Sequence, residues 1–170
     1  MAEFRSAQSC EAILHRLMSE YEIQIRRMCC VYLRDEHLAE DATQETFLKA
    51  YNALDRFRED RNEKAWLMRI AVNVCHNIRR TGWMRFVDRR VTLDKLPEPA
   101  SNGDFALTEL MLDIMRLPEK LIDVVILHDY QELSVREIGK MLGIPYQTII
   151  SRLAKAHKLL RISLEEGMQK

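Results

Sequence analysis

Glycine and proline are scarce in this chain, five and four among 170 residues, which excludes collagen-like and low-complexity architectures. Aromatic residues contribute only 7%, yet 47% of the chain is hydrophobic, enough for one ordinary domain or two small ones. No apolar run is long enough to span a bilayer, and even residues 121–127 are interrupted by Asp123. Residues 1–10 lack the apolar centre of a signal peptide, so a cytoplasmic location is expected. The four cysteines, Cys10, Cys29, Cys30 and Cys75, have no paired spacing suited to zinc. In a reducing compartment they are expected to be small buried hydrophobes. His15, His37, His76, His128 and His157 are scattered, and neither a Gly-rich phosphate loop nor G-x-S-x-G occurs. No catalytic residue, metal, cofactor or small-molecule substrate is therefore expected.

Net charge is zero, but its distribution is uneven, and distribution decides what a surface attracts. Asp35, Glu36, Glu40, Asp41 and Glu45 form an acidic block without a lysine or arginine among them. Between residues 64 and 90, Lys64, Arg69, Arg79, Arg80, Arg85, Arg89 and Arg90 face Asp88 alone. Residues 112–132 turn acidic, and Arg136, Lys140, Arg152, Lys155, Lys158 and Arg161 turn the end basic again. Two basic segments alternating with acidic ones point to two DNA contacts and a protein-binding surface.

Apolar periodicity predicts helices throughout. Leu14, Leu17, Tyr21, Ile25, Met28 and Tyr32 form one stripe over residues 10–33. Asp35 and Glu36 place carboxylates where a second helix begins, with Ala42, Phe47, Ala50, Tyr51 and Leu54 available to the core. After a polar loop at 56–63, a third helix over 64–81 is expected to bury Trp66, Ile70, Val74 and Ile78 and to stop at Gly82. Residues 83–104, with Pro97, Pro99, Ser101, Asn102 and Gly103, read as a flexible linker. Helical spacing resumes over 105–115, and Pro118 suits the first turn of a helix reaching about residue 129. The expected fold is all-α: a domain at 1–82, the linker, and a second domain at 105–170.

That second domain carries the sharpest local signal. Ser134 and Glu137 have capping-box spacing, Val135, Ile138, Met141 and Leu142 are expected to be buried, and Gly143 can end the short helix. A longer helix over 146–161 then buries Ile149, Leu153, Ala156 and Leu160 and exposes Gln147, Ser151, Lys155 and Lys158. A short helix, a glycine turn and a basic second helix form the layout of a helix-turn-helix DNA reader. Its Gln and Lys side chains are suited to adenine, guanine and phosphate. On the third helix Arg69, Asn73, His76 and Arg80 share a face that suits phosphates and an unstacked base. A loop such as 57–62 can hold a flipped base, though the precedent is enzymatic and a plain solvated loop is the commoner outcome. Asp41, Gln44, Glu45 and Leu48 line an outward strip suited to a basic partner helix. From the residues alone, ordinary solvated faces and a stand-alone helix-turn-helix regulator remain open as alternatives.

In their order along the chain these segments resemble the sigma-70 family, specifically its small extracytoplasmic-function (ECF) group. Residues 38–51, from Leu38 through Asp41, Gln44, Glu45 and Leu48 to Tyr51, look like the polymerase-binding helix. Residues 57–80, through Trp66, Arg69 and Asn73, look like the promoter-melting and minus-ten segment. Leu117-Pro118, Leu133 to Gly143 and Thr148 to Leu153 look like the minus-thirty-five reader. A linker alone leaves no room for the extra domain of housekeeping relatives. The resemblance implies that Asp41, Gln44, Glu45 and Leu48 dock on the beta-prime clamp helices of core RNA polymerase, whose beta subunit is a further partner. It assigns promoter minus-ten contacts to Phe57, Arg58, Asp60, Asn62, Arg69, Asn73, His76 and Arg80. Minus-thirty-five contacts fall to His128, Gln147, Thr148, Ser151, Arg152 and Lys155. It also implies an anti-sigma factor as a regulatory partner. His76 and Asn77 stand where Asp is frequent, Gln147 where Gly is frequent, Ile150 where a basic residue is frequent, and His128 where Arg is common. These departures bear on the promoter sequence. Ile150 is placed to meet a thymine methyl or simply to pack.

Overall fold

A computed structural model describes the backbone of residues 2–57, 62–81 and 109–167, and the side chains of 10–57, 62–81 and 110–165. The expected linker, Arg58, Asp60 and Gly82 lie outside the described residues. The chain divides into two compact units, Met1–Glu98 and Pro99–Lys170. Among the described residues every regular element is helical.

The first unit contains α1 (Ala2–Leu33), α2 (Glu36–Ala53), a single 3-10 turn (Leu54–Arg56) and α3 (Glu63–Arg80). α1 packs on both α2 and α3, which also pack on each other. α1 starts eight residues ahead of its apolar stripe. Backbone hydrogen bonding needs no buried face, and residues such as Glu3, Arg5 and Gln8 are good helix formers. Arg34, with φ 56°, closes α1 in the left-handed region, and its amide bonds to the Cys30 carbonyl at 2.8 Å. Asp35 then caps α2 by accepting from the Leu38 amide at 2.9 Å. Asn62 caps α3 in the same way, accepting from Ala65 at 3.0 Å. Leu17, Ile25, Met28, Cys29, Tyr32, Phe47, Leu67, Met68 and Cys75 fill the core.

The buried face of α3 differs from the expected stripe. Leu67, Met68, Ala71, Val74 and Cys75 are buried, whereas Trp66, Ile70 and Ile78 lie half-buried at its edge. Apolar residues occupy more than half the circumference of this helix, so spacing alone leaves the centre of the stripe undetermined. Tyr51 of α2 is likewise half-buried.

The second unit contains α4 (Glu109–Arg116), α5 (Glu119–Val125), a π-helical turn (Ile126–Tyr130), α6 (Val135–Leu142) and α7 (Tyr146–Gly167). α5 packs on α7, with α4 and α6 completing the cluster. Ile149, Leu153, Ala156 and Leu160 are all buried along α7, while Ile138 alone is fully buried on α6. Val135, Met141 and Leu142 are half-buried, because an eight-residue helix at the surface turns only one narrow stripe inward.

Candidate nucleic-acid and polymerase interfaces

The helix-turn-helix is built from local chemistry. The Ser134 hydroxyl accepts from the Glu137 amide at 3.3 Å, and the Glu137 carboxylate accepts from the Ser134 amide at 2.9 Å, so the box is closed in both directions. Gly143 takes φ +67° and ends α6, a conformation that costs other residues roughly 1–2 kcal/mol. Gly139 serves the close crossing that follows. A Cβ there would lie 3.2 Å from the Ile144 carbonyl oxygen and 3.4 Å from the Ile149 side chain. α7 therefore leaves the turn at a fixed angle, with its buried stripe locked against α5.

That lock turns the opposite face outward. Gln147, Ser151 and Lys155 are exposed, with Thr148 and Arg152 half-buried on one flank. Tyr146 and Ile150 are exposed on the other flank, at 58% and 39%. His128 lies on the π-helical turn, where Gln131 donates its amide to the Ile126 carbonyl five residues back at 2.9 Å. The His128 Nδ1 lies 2.7 Å from one Asp129 oxygen, and the His157 Nε2 of α7 lies 2.5 Å from the other. Nothing in the sequence pattern pairs residues 129 and 157.

In the first unit Asp41, Gln44 and Leu48 project from α2 into solvent, with Glu45 half-exposed beside them. Leu48 is 61% exposed, and Glu45 pairs with Lys49 at 2.8 Å. On α3, Arg69, Asn73 and Arg80 are exposed. His76 shares their sector, half-buried, with its ring edge-on against Tyr32 at a centroid distance of 5.7 Å. Phe57 stacks on Trp66 at 4.5 Å, which gives the edge-lying tryptophan a partner and anchors the start of the 57–62 loop. Asn62 spends its side-chain oxygen on the helix cap.

A tie at this end of α3 was invisible in the sequence. Arg16 of α1 grips Glu63 with two bonds, at 2.9 and 2.6 Å. The Arg16 hydrogen bond holds the Glu63 carboxyl below the usual range. A lowered acid stabilises the fold wherever the unfolded glutamate is already ionised, above about pH 4–5, and that contribution fades as pH falls through the lowered value. Arg16 is half-exposed, so screening limits the pair to roughly 0.5–1 kcal/mol. Arg16→Ala is expected to lower the thermal midpoint by a few degrees at neutral pH and by less as the pH is lowered through the acid range. An equal shift at neutral and acid pH would contradict this reading.

Three of the four thiols are withdrawn into the core, while Cys10 is half-buried beside Asp55. Cys29, Cys30 and Cys75 are buried, burial pushes the Cys30 thiol up to about 12, and a hydrogen bond with Cys29 raises Cys75 further, aided by burial. Among the described residues no three His, Cys, Asp or Glu side chains are placed to hold a metal ion, and no helix is long and apolar enough to cross a membrane.

Comparison with known proteins gives these surfaces a context. The Sigma-70 region 2 family model matches residues 17–85, and the Sigma-70, region 4 model matches residues 108–160. The ECF RNA polymerase sigma factor SigW of Bacillus subtilis is 31% identical over 160 residues, covering 86% of each chain. The RNA polymerase sigma-H factor of Pseudomonas aeruginosa is 29% identical over 163 residues, 88% of this chain and 84% of its own. Among solved structures, the sigma factor RpoE from Bartonella quintana, captured with the anti-sigma factor NepR, aligns with a TM-score of 0.73 at 24% identity. That alignment covers 89% of this chain and 96% of RpoE. CnrH, solved with the cytosolic domain of CnrY, aligns at 0.69 and 20% identity over 95% and 94% of the two chains. These two share the fold. The sequence matches carry the assignment further: the chain belongs to the sigma-70 family of RNA polymerase sigma factors, within its extracytoplasmic-function group.

Proposed function

We propose that this sigma factor divides its work between its two helical units. The first domain, residues 1–82, docks Asp41, Gln44, Glu45 and Leu48 on the beta-prime clamp helices of core polymerase. It holds a melted minus-ten strand with the 57–62 loop and the Arg69, Asn73, His76 and Arg80 face. Residues 83–104 connect it to the second domain, residues 105–170, which reads duplex DNA at the minus-thirty-five element. There Gln147 and Ser151 meet base edges, while Arg152 and Lys155 meet the backbone. The beta subunit and an anti-sigma factor are further partners, and the site of action is the cytoplasm. The protein works by binding rather than chemistry: contacts to an extruded base offset an unstacking cost of a few kcal/mol.

The observation that carries this reading is the outward strip of Asp41, Gln44 and Glu45 on α2, which ends on Leu48, 61% exposed. A stand-alone helix-turn-helix regulator has no use for such a strip. An exposed apolar side chain one turn from Glu45 and two from Asp41 suits a partner helix that carries basic residues. Gel-shift assays with and without core enzyme separate the two readings. Promoter binding is expected to require core polymerase, and tight polymerase-independent binding would overturn the proposal. Within the complex, Asn73→Ala is expected to relax discrimination at one minus-ten position about tenfold, the usual scale of a paired base contact, with core binding retained. Run-off transcription on promoters varied at each minus-ten base measures this, and unchanged selectivity would remove Asn73 from the site.

A further inference from the structure

The His128–Asp129–His157 cluster has a consequence for DNA binding. Its three residues come from the π-helical turn and from α7, 28 positions apart. π-helical turns are rare and recur at functional sites, and this one stands directly ahead of the helix-turn-helix. An ionised carboxylate only accepts hydrogen bonds, so each imidazole must present an N–H to Asp129. For His128 the contacting atom is Nδ1. Its neutral form therefore carries the proton on Nδ1 and leaves Nε2 as a bare acceptor, unable to donate to a phosphate oxygen. Only the doubly protonated ring presents an Nε2–H outward, and that ring is a cation neutralised on its inner side by Asp129.

We propose that His128 is a proton-dependent contact to the DNA phosphate backbone, and that Asp129 and His157 are positioning residues that make it so. The proposal rests on the second domain's being the minus-thirty-five reader. His157 ties the far oxygen of Asp129 to α7, which orients the carboxylate toward His128. The other charged side chains on α5, α6 and α7 are all of Asp, Glu, Lys or Arg type, Asp123, Arg136, Glu137, Lys140, Arg152 and Lys155 among them. Such groups ordinarily keep one charge state between about pH 6 and 8. Histidine is the side-chain type whose charge ordinarily changes near neutral pH.

The test uses holoenzyme formed from the full chain and core polymerase. Binding is measured on two fragments of one promoter, with and without the minus-thirty-five element, from about pH 6 to pH 8. The contribution of the element is expected to weaken about three- to tenfold as pH rises, within the limit of one linked proton. Its salt slope should be about 0.9 steeper at the acid end, the signature of one added phosphate contact. His128→Arg should bind tightly with a steep salt slope at every pH, and His128→Gln weakly with a shallow one. Asp129→Asn should weaken binding near neutrality. His157→Gln, which keeps a donor toward Asp129, should restore most of what His157→Ala loses. A contribution flat in pH would overturn the proposal. So would tighter binding by Asp129→Asn, since the carboxylate would then act only as a charge repelling the phosphates. Weakening on acidification would overturn it as well, because neutral Nε2 would be accepting from a base amine. If the element contributes no affinity at any pH, the failure lies instead in assigning the second domain to it.

Discussion

Reversing two charges on α2, Asp41→Arg with Glu45→Arg, is expected to lower affinity for core polymerase at least a hundredfold while leaving helix content and thermal stability intact. The two effects separate because Asp41 is exposed and Glu45 half-exposed on a helix whose buried face is Ala39, Ala42, Thr43, Thr46, Phe47 and Ala50. Surface replacements away from caps and core change stability by about half a kcal/mol or less. The loss of the Glu45–Lys49 pair, 2.8 Å long and half-exposed, stays within that range. Against a basic partner helix the same replacements put like charges face to face, at a cost of several kcal/mol. About 2.8 kcal/mol already corresponds to a hundredfold. Titration of labelled protein with core enzyme measures the affinity, and circular dichroism confirms the fold. Undiminished binding by a folded double variant would move the polymerase contact elsewhere.

Neighbouring residues on α7 give the second large effect and its control. Ile149 is completely buried beneath the helix-turn-helix and Ile150 is 39% exposed beside it. Ile149→Asp buries an unpaired carboxylate, which costs several kcal/mol even after relaxation. A whole domain is stable by about 5–15 kcal/mol, and small ones sit at the lower end. The second domain is therefore expected to unfold, abolishing transcription that depends on the minus-thirty-five element, while the first domain retains its core and its grip on polymerase. Ile150→Asp should leave the fold intact and weaken DNA binding by placing a negative charge near the phosphates. Pull-down of core enzyme, thermal unfolding and transcription from a minus-thirty-five-dependent promoter distinguish these outcomes. Equal stability of the two variants would mean that the α7 stripe is not the domain's core.

Much of this architecture is written locally, and those parts were legible. The Ser134 box, the Gly143 turn and the 149/153/156/160 stripe depend on residues within a few positions of one another, so spacing reveals them. The exposure of Gln147, Ser151 and Lys155 follows from the same stripe by exclusion. The α3 stripe was mis-centred because apolar residues are too numerous there, and packing on α1 and α2 chooses among them. The π-helical turn was hidden because residues 121–127 are almost uniformly apolar, which erases the period that would betray a change of helical register. Arg16 with Glu63 and Asp129 with His157 lie 47 and 28 positions apart. Only the tertiary fold brings such pairs together. The edge-on contact of His76 with Tyr32, 44 positions away, is a further pairing that only the tertiary fold creates.

Transcription start sites mapped on a whole genomic template, using core polymerase with and without this protein, test the division of labour between the two units most directly. Addition of the protein is expected to create a discrete set of starts. Each should be preceded by one shared pair of elements, the upstream duplex sequence roughly two and a half helical turns from the melted one. Starts that share only one element, or no new starts at all, would contradict it.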